Sequence, residues 1–240
     1  MFYLLTSLLK PRNFPYTNTL APIKKNRMKK ITIFIFLIII NYTVKAQTEK
    51  YPKGIYMSFL EVIDKNPSEN YNVELEKRTR GKIKMNGGND YQLNSVNKNV
   101  KRKVLKKQVY AYSDGSDLFL NSFKHELQFW YSKVGGENEN YFVFNAGIPM
   151  NMKRYGMKSS DISYMFGGII SGFSAAKRAL IRLPYVMNKK TQEVILVSEK
   201  NIRKLFGGST DLITEYENET EKDNVEILTK YLIRWVNEKQ

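Results

Sequence analysis

The sequence predicts an α+β domain: an antiparallel β-sheet, or a partly closed barrel, with helices packed at its C-terminal end. Three observations carry this expectation. Between residues 71 and 148, short apolar runs alternate with polar residues and are cut by Gly, Asn and Asp turn signals. From residue 198 onward, apolar residues recur at helical spacing between capping residues. The strands precede the helices instead of alternating with them, the order of a segregated fold and not of a βαβ one.

Each element follows from local chemistry. Ser58-Phe59-Leu60-Glu61 has capping-box spacing, so a helix should run from Phe59 to about Lys65, stopped by Asn66-Pro67. Tyr71, Val73 and Leu75 alternate with Asn72, Glu74 and Glu76, the period of a half-buried strand. Asn86-Gly87-Gly88 reads as a hairpin turn between Lys82–Met85 and Tyr91–Leu93. A second hairpin joins Gln108–Tyr112 to Asp117–Asn121 through Asp114-Gly115. A third joins Leu127–Val134 to Tyr141–Asn145 through Gly135-Gly136-Glu137-Asn138. Two more strands, Leu180–Met187 and Val194–Val197, lead to a helix from Glu199 to Phe206, closed by Gly207-Gly208. Asp211 opens the next helix. In the last, Val225, Leu228, Leu232 and Trp235 share one face.

Composition narrows the function classes. The 240 residues include 42% hydrophobic ones, no cysteine and one histidine, and the formal net charge is +16. This is no disordered, collagenous or disulfide-stapled chain. Thiol catalysis, thiolate metal sites and cysteine lipidation are excluded, and the zinc patterns built on paired histidines are missing. His125, between Lys124 and Glu126, reads as a surface or strand residue.

The N-terminal part reads as an address. Met28-Lys29-Lys30, the apolar run Ile31–Ile40 and Val44-Lys45-Ala46 form the charged, hydrophobic and small-residue regions of a signal peptide spanning 28–46. The alternative is an uncleaved anchor through 31–44, although a confident span needs about 20 apolar residues. Residues 1–27 lie upstream of this n-region and are read as an upstream extension, so the mature unit is a single α+β domain over 47–240. Export points to the periplasm, outer envelope or extracellular space, with the membrane met only in transit, and it disfavours nucleic acid as a partner. Residues 1–46 hold eight basic and no acidic residues, so the mature chain carries 31 positive and 23 negative charges, or +8.

The start Lys53-Gly54-Ile55-Tyr56-Met57-Ser58-Phe59 with Asn66-Pro67-Ser68 resembles the opening of small secreted Bacteroidota proteins forming a domain-of-unknown-function family. The hairpin around Asp114-Gly115 is similar, as are Leu183-Pro184-Tyr185-Val186-Met187-Asn188, Glu193–Ser198 and the helices through Glu215-Tyr216 and Tyr231. The resemblance implies an envelope or extracellular location. It implies no activity and carries no catalytic residue with it.

Motifs for chemistry are sparse. Gly172-Phe173-Ser174-Ala175-Ala176 only echoes a nucleophile elbow, and no histidine follows it. Neither glycine-rich phosphate loop occurs, and no catalytic residue, metal or cofactor is assigned. Charge says more. Val73–Lys107 contains eleven basic and three acidic residues, an excess of +8 equal to that of the mature chain. Conversely, Asp211–Glu226 holds seven acids and one lysine. The candidate anion contacts are Lys77, Arg78, Arg80, Lys82, Lys84, Lys101, Arg102, Lys103, Lys106 and Lys107, facing a lipid headgroup or an acidic glycan. The plainer alternative is a set of solvated strand faces and edge-protecting lysines. A carboxylate-based enzyme acting on glycans stays open, since such carboxylates meet in space and not in sequence. So does membrane association through 162–176, where Gly168, Gly172 and Ala176 form a small-residue stripe.

Overall fold

The computed structural model describes residues 50–158, 160 and 174–238. Residues 1–27, the signal segment 28–46, Gly168 and Gly172 lie outside the described residues. The described part belongs to one compact unit, Glu49–Gln240. Among the described residues, no helix is long and apolar enough to cross a membrane.

Among the described residues, nine antiparallel strands form one open sheet: β1 (Gly54–Tyr56), β2 (Val73–Lys77), β3 (Tyr91–Ser95), β4 (Ala111–Ser113), β5 (Leu118–Asn121), β6 (Tyr131–Glu137), β7 (Tyr141–Ala146), β8 (Leu183–Asn188) and β9 (Val194–Leu196). The order is β1-β4-β5-β6-β7-β8-β9, with the β2–β3 hairpin attached at Tyr91↔Tyr131. The ends do not meet, so the barrel alternative is not realised. The α+β class is.

Helix α1 (Phe59–Ile63) starts as expected, with the Glu61 N–H donating to Ser58 Oγ at 3.3 Å. The Glu61 carboxylate reaches one residue further than a capping box requires and accepts from the Met57 N–H at 2.6 Å. The helix is two residues shorter than expected, because Asp64 already takes the C-cap position.

Three expectations in the basic and glycine-rich stretches are corrected. Residues 80–86 do not form one arm of a hairpin. They form helix α2 (Arg80–Asn86), N-capped by Thr79 and ended by Gly87 at φ +62°. Strand β2 pairs instead with β3, across the helix. Residues 102–107 are likewise helical, as α3 (Arg102–Lys107), held by buried Leu105. The basic stretch Val73–Lys107, expected within the strand-rich part of the chain, therefore carries most of its cations on two short helices.

The third correction concerns Gly135-Gly136, which lie inside β6 at a bulge, while the turn falls on Asn138–Asn140. A Cβ on Gly136 would sit 2.8 Å from Val236 Cγ2. The glycines serve the close seating of the last helix on the sheet, which local turn chemistry cannot reveal.

Short helix α4 (Ala175–Arg178) contains Ala176 and packs against α2. The C-terminal helices α5 (Glu199–Phe206), α6 (Thr210–Glu217) and α7 (Val225–Glu238) match the periodicity. Helix α7 lies across β6, β7 and β8. Its Leu228, Leu232 and Trp235 join Phe142, Phe144, Tyr185, Phe206 and Tyr216 in the larger core. A smaller core of Ile55, Leu93, Leu105, Tyr112, Phe119, Trp130 and Tyr131 lies beneath α3. His125, expected at the surface or on a strand, is buried on a 3-10 turn, Ser122–His125, within 3.4 Å of the Tyr110 hydroxyl.

Candidate functional site: a cationic surface on aromatic rings

The loop from Gly87 to Asp90 organises one end of the basic region. Arg78 is only 5% exposed, and its Nη1 donates to the Gly87 and Asn89 carbonyls at 2.8 Å each. Arg182 closes the same loop from the other side, with Nη2 donating to the Gly88 carbonyl at 3.1 Å and to Asp90 Oδ1 at 2.8 Å. Burial and the neighbouring Arg182 hold the Arg78 guanidinium below its ordinary pKa. Arg78 is thus a loop clamp and does not reach solvent as an anion contact would.

Helix α3 packs along β3 and lays its cations on aromatic faces. The Arg102 guanidinium carbon lies 5.2 Å from the Trp130 ring centroid, and Lys106 Nζ lies 3.7 Å from that of Phe129. Lys107 Nζ is 5.2 Å from Phe123 and 5.5 Å from Phe129. Phe123 and Phe129 are themselves stacked, with centroids 5.1 Å apart. Cation–π contact holds the stems in place without cancelling the charge. Burial, then the like charges of Arg102, Lys107 and Arg78, depress the Lys106 ammonium.

The backbone beneath these rings is unusual. Glu126, Gln128 and Trp130 have φ of 58°, 75° and 75°. Positive φ at a side chain as bulky as tryptophan is a genuine outlier, held by its surroundings. Buried Asn89 supplies part of the restraint: its side-chain amide donates to the Leu127 and Phe129 carbonyls at 2.7 and 3.2 Å, and its Oδ1 accepts from the Gly147 N–H at 2.6 Å.

Of the remaining candidates, Lys106 and Lys107 are half-buried against the rings and the others are exposed. Lys82 pairs with Glu76. Among the described residues, Lys77, Arg80, Lys84, Lys101, Arg102, Lys103, Lys106 and Lys107 make no ion pair. The acidic C-terminal stretch behaves oppositely. Glu217 is bound by Arg203 and Lys222, Glu215 by Arg234, and Glu219 by Lys230. Three of the seven acids in that stretch are thus paired with nearby bases, whereas of the basic candidates only Lys82 has an acidic partner among the described residues.

Fold stability does not account for that excess. Arg80 and Lys82 in α2, and Arg102 and Lys103 in α3, sit in first helical turns that contain no acid. There the helix dipole opposes cations, whereas α5, α6 and α7 begin with Glu199, Asp211 and Glu226. Helices α2, α3 and α4, with no acid in their first turns, break a rule that α5, α6 and α7 obey, which marks a surface shaped by something other than stability.

A cleft of about 570 Å³ lies elsewhere, lined in part by Tyr155, Met157, Ser198, Glu199, Asn201 and Asp223. Burial and the adjacent Glu199 raise the Asp223 carboxyl, while the Glu199 backbone N–H donates to it. Sequence reasoning did not single out this pair, because 24 residues separate its members. Among the described residues, no group of three or more His, Cys, Asp and Glu could hold a metal ion.

No curated protein and no solved structure matches the chain. A family model does match, over residues 54–239, and its span covers every described strand and the three C-terminal helices. The chain belongs to DUF6563, a family of unknown function.

Proposed function

We propose that this protein is an exported, non-enzymatic binding module that engages an anionic component of the cell envelope through helices α2 and α3. The carrying observation is the set of cations on these helices that, among the described residues, have no carboxylate partner: Arg80 and Lys84 on α2, and Arg102, Lys103, Lys106 and Lys107 on α3. Aromatic seating fixes Arg102, Lys106 and Lys107, so less side-chain freedom is lost when an anion docks. The triple reversal of Lys101, Arg102 and Lys103 to Glu tests the reading, with anionic phospholipid vesicles and a soluble acidic polysaccharide as probes. All three positions are exposed, so the fold should persist while binding is abolished. Equal binding by wild type and variant removes this mechanism.

The second reading, a carboxylate-based enzyme acting on glycans, draws on the cleft at Glu199 and Asp223. A buried, raised carboxyl beside a second acidic side chain is the arrangement of a general acid and its partner. Asp223 also faces the start of α5, where a carboxylate favours the helix, and that role alone explains its position. Hydrolysis of a polysaccharide panel that disappears in Asp223→Asn would favour the enzyme; no turnover leaves the capping role.

A further inference from the structure

Helix α2 carries a feature that anion binding alone does not explain. Ile83 is its one buried residue and faces inward. At 100° per residue, Met85 lies almost opposite Ile83, in line with Gly81, with Lys82 on one flank and Lys84 on the other. Met85 is 85% exposed, more than Leu60, Ile63, Val96 or Met150. A single exposed apolar side chain is ordinary on any protein. The frame around Met85 is not: Lys82 and Lys84 flank it on its own helix, and the adjoining α4 adds exposed Arg178. Neither helix contains an acid. Glu76 pairs with Lys82, and Lys84 has no ion pair among the described residues.

We infer that α2 is a membrane-docking element that places Met85 into the interface of an anionic bilayer, with the surrounding cations on the headgroups. This rests on the reading of the basic surface as an anion contact and names its partner. A dissolved glycan would reward the cations alone and leave Met85 in water. A bilayer rewards both, since lysines at an interface meet anionic headgroups while an apolar tip enters the acyl boundary. Gly81, directly behind Met85 on the outward line, leaves no bulk to hold the helix off a flat surface.

Met85→Trp provides the direct test. Trp130 and Trp235 are both buried, so an emission change on adding vesicles reports position 85. Emission should shift to the blue with vesicles containing an anionic phospholipid and stay unchanged with neutral phosphatidylcholine. Met85→Ser should weaken vesicle binding by about tenfold, the worth of one buried apolar side chain, and leave binding of a soluble acidic polysaccharide unchanged. Lys84→Gln should cost about fivefold on the same vesicles. Vesicle binding without the blue shift, or undiminished in Met85→Ser, overturns the inference. Binding of the polysaccharide but not of vesicles overturns it while sparing the anion-contact reading, and binding of neither removes both.

Discussion

Arg78 and His125 show how far a residue's neighbours decide what it does. Arg78 belongs to the basic run by sequence, yet its guanidinium is spent on carbonyls of the Gly87–Asp90 loop. Arg78→Lys keeps the charge but loses the planar fork, and should destabilise the fold by about 2–3 kcal/mol in chemical denaturation. Burial, then Arg154 and Lys124, lower the His125 pKa to about 4. The unfolded chain takes up this proton near pH 6.5, and the folded one resists it until about pH 4. Stability should therefore fall as pH drops between those values, by at most about 3 kcal/mol. His125→Gln should remove that part of the pH dependence in thermal melts at pH 7 and 4.5. Glu137 adds a component of the same sign at lower pH. Burial would raise its carboxyl, but hydrogen bonds from Lys189, Lys50 and Tyr51 outweigh it and hold the group down, so its contribution is lost on acidification. Neither burial was legible in the sequence: His125 depends on Tyr110 and Tyr155, 15 and 30 residues away, and Arg78 on loop carbonyls, which no side-chain pattern announces.

At the scale of elements, periodic and capped segments were legible and short polar ones were not. Helices α5, α6 and α7 announce themselves through apolar spacing and first-turn acids, and the Asp114-Gly115 hairpin through its turn residues. Helices α2 and α3 each have one fully buried anchor, Ile83 and Leu105, so neither writes a helical period into the sequence. Gly135-Gly136 misled for a different reason: a glycine kept for close packing looks like one kept for a turn. Two substitutions separate these uses. Gly136→Val drives a side chain into Val236 and should cost about 1–3 kcal/mol. Gly135→Ala, whose new Cβ would be 3.7 Å from Ile233 Cδ1, should change the melting temperature little.

For the whole molecule, the net charge of +16 in the sequence conceals a division of labour. In the C-terminal helical layer Glu215, Glu217 and Glu219 sit in local pairs, and on the α2–α3 surface most bases have no acidic partner among the described residues. The charge excess of the candidate site was legible in the sequence, residue by residue. Its geometry was not: the aromatic seat of Phe123, Phe129 and Trp130 comes from a later part of the chain, folded under α3 by a backbone with three positive φ angles. The measurement that bears most directly on the anion-contact reading is the affinity of the wild-type protein for anionic vesicles across a salt series. Binding through solvent-exposed cations should weaken steeply as ionic strength shortens the screening length from about 30 Å at 0.01 M to about 8 Å at 0.15 M. An affinity that does not change over that range would contradict it.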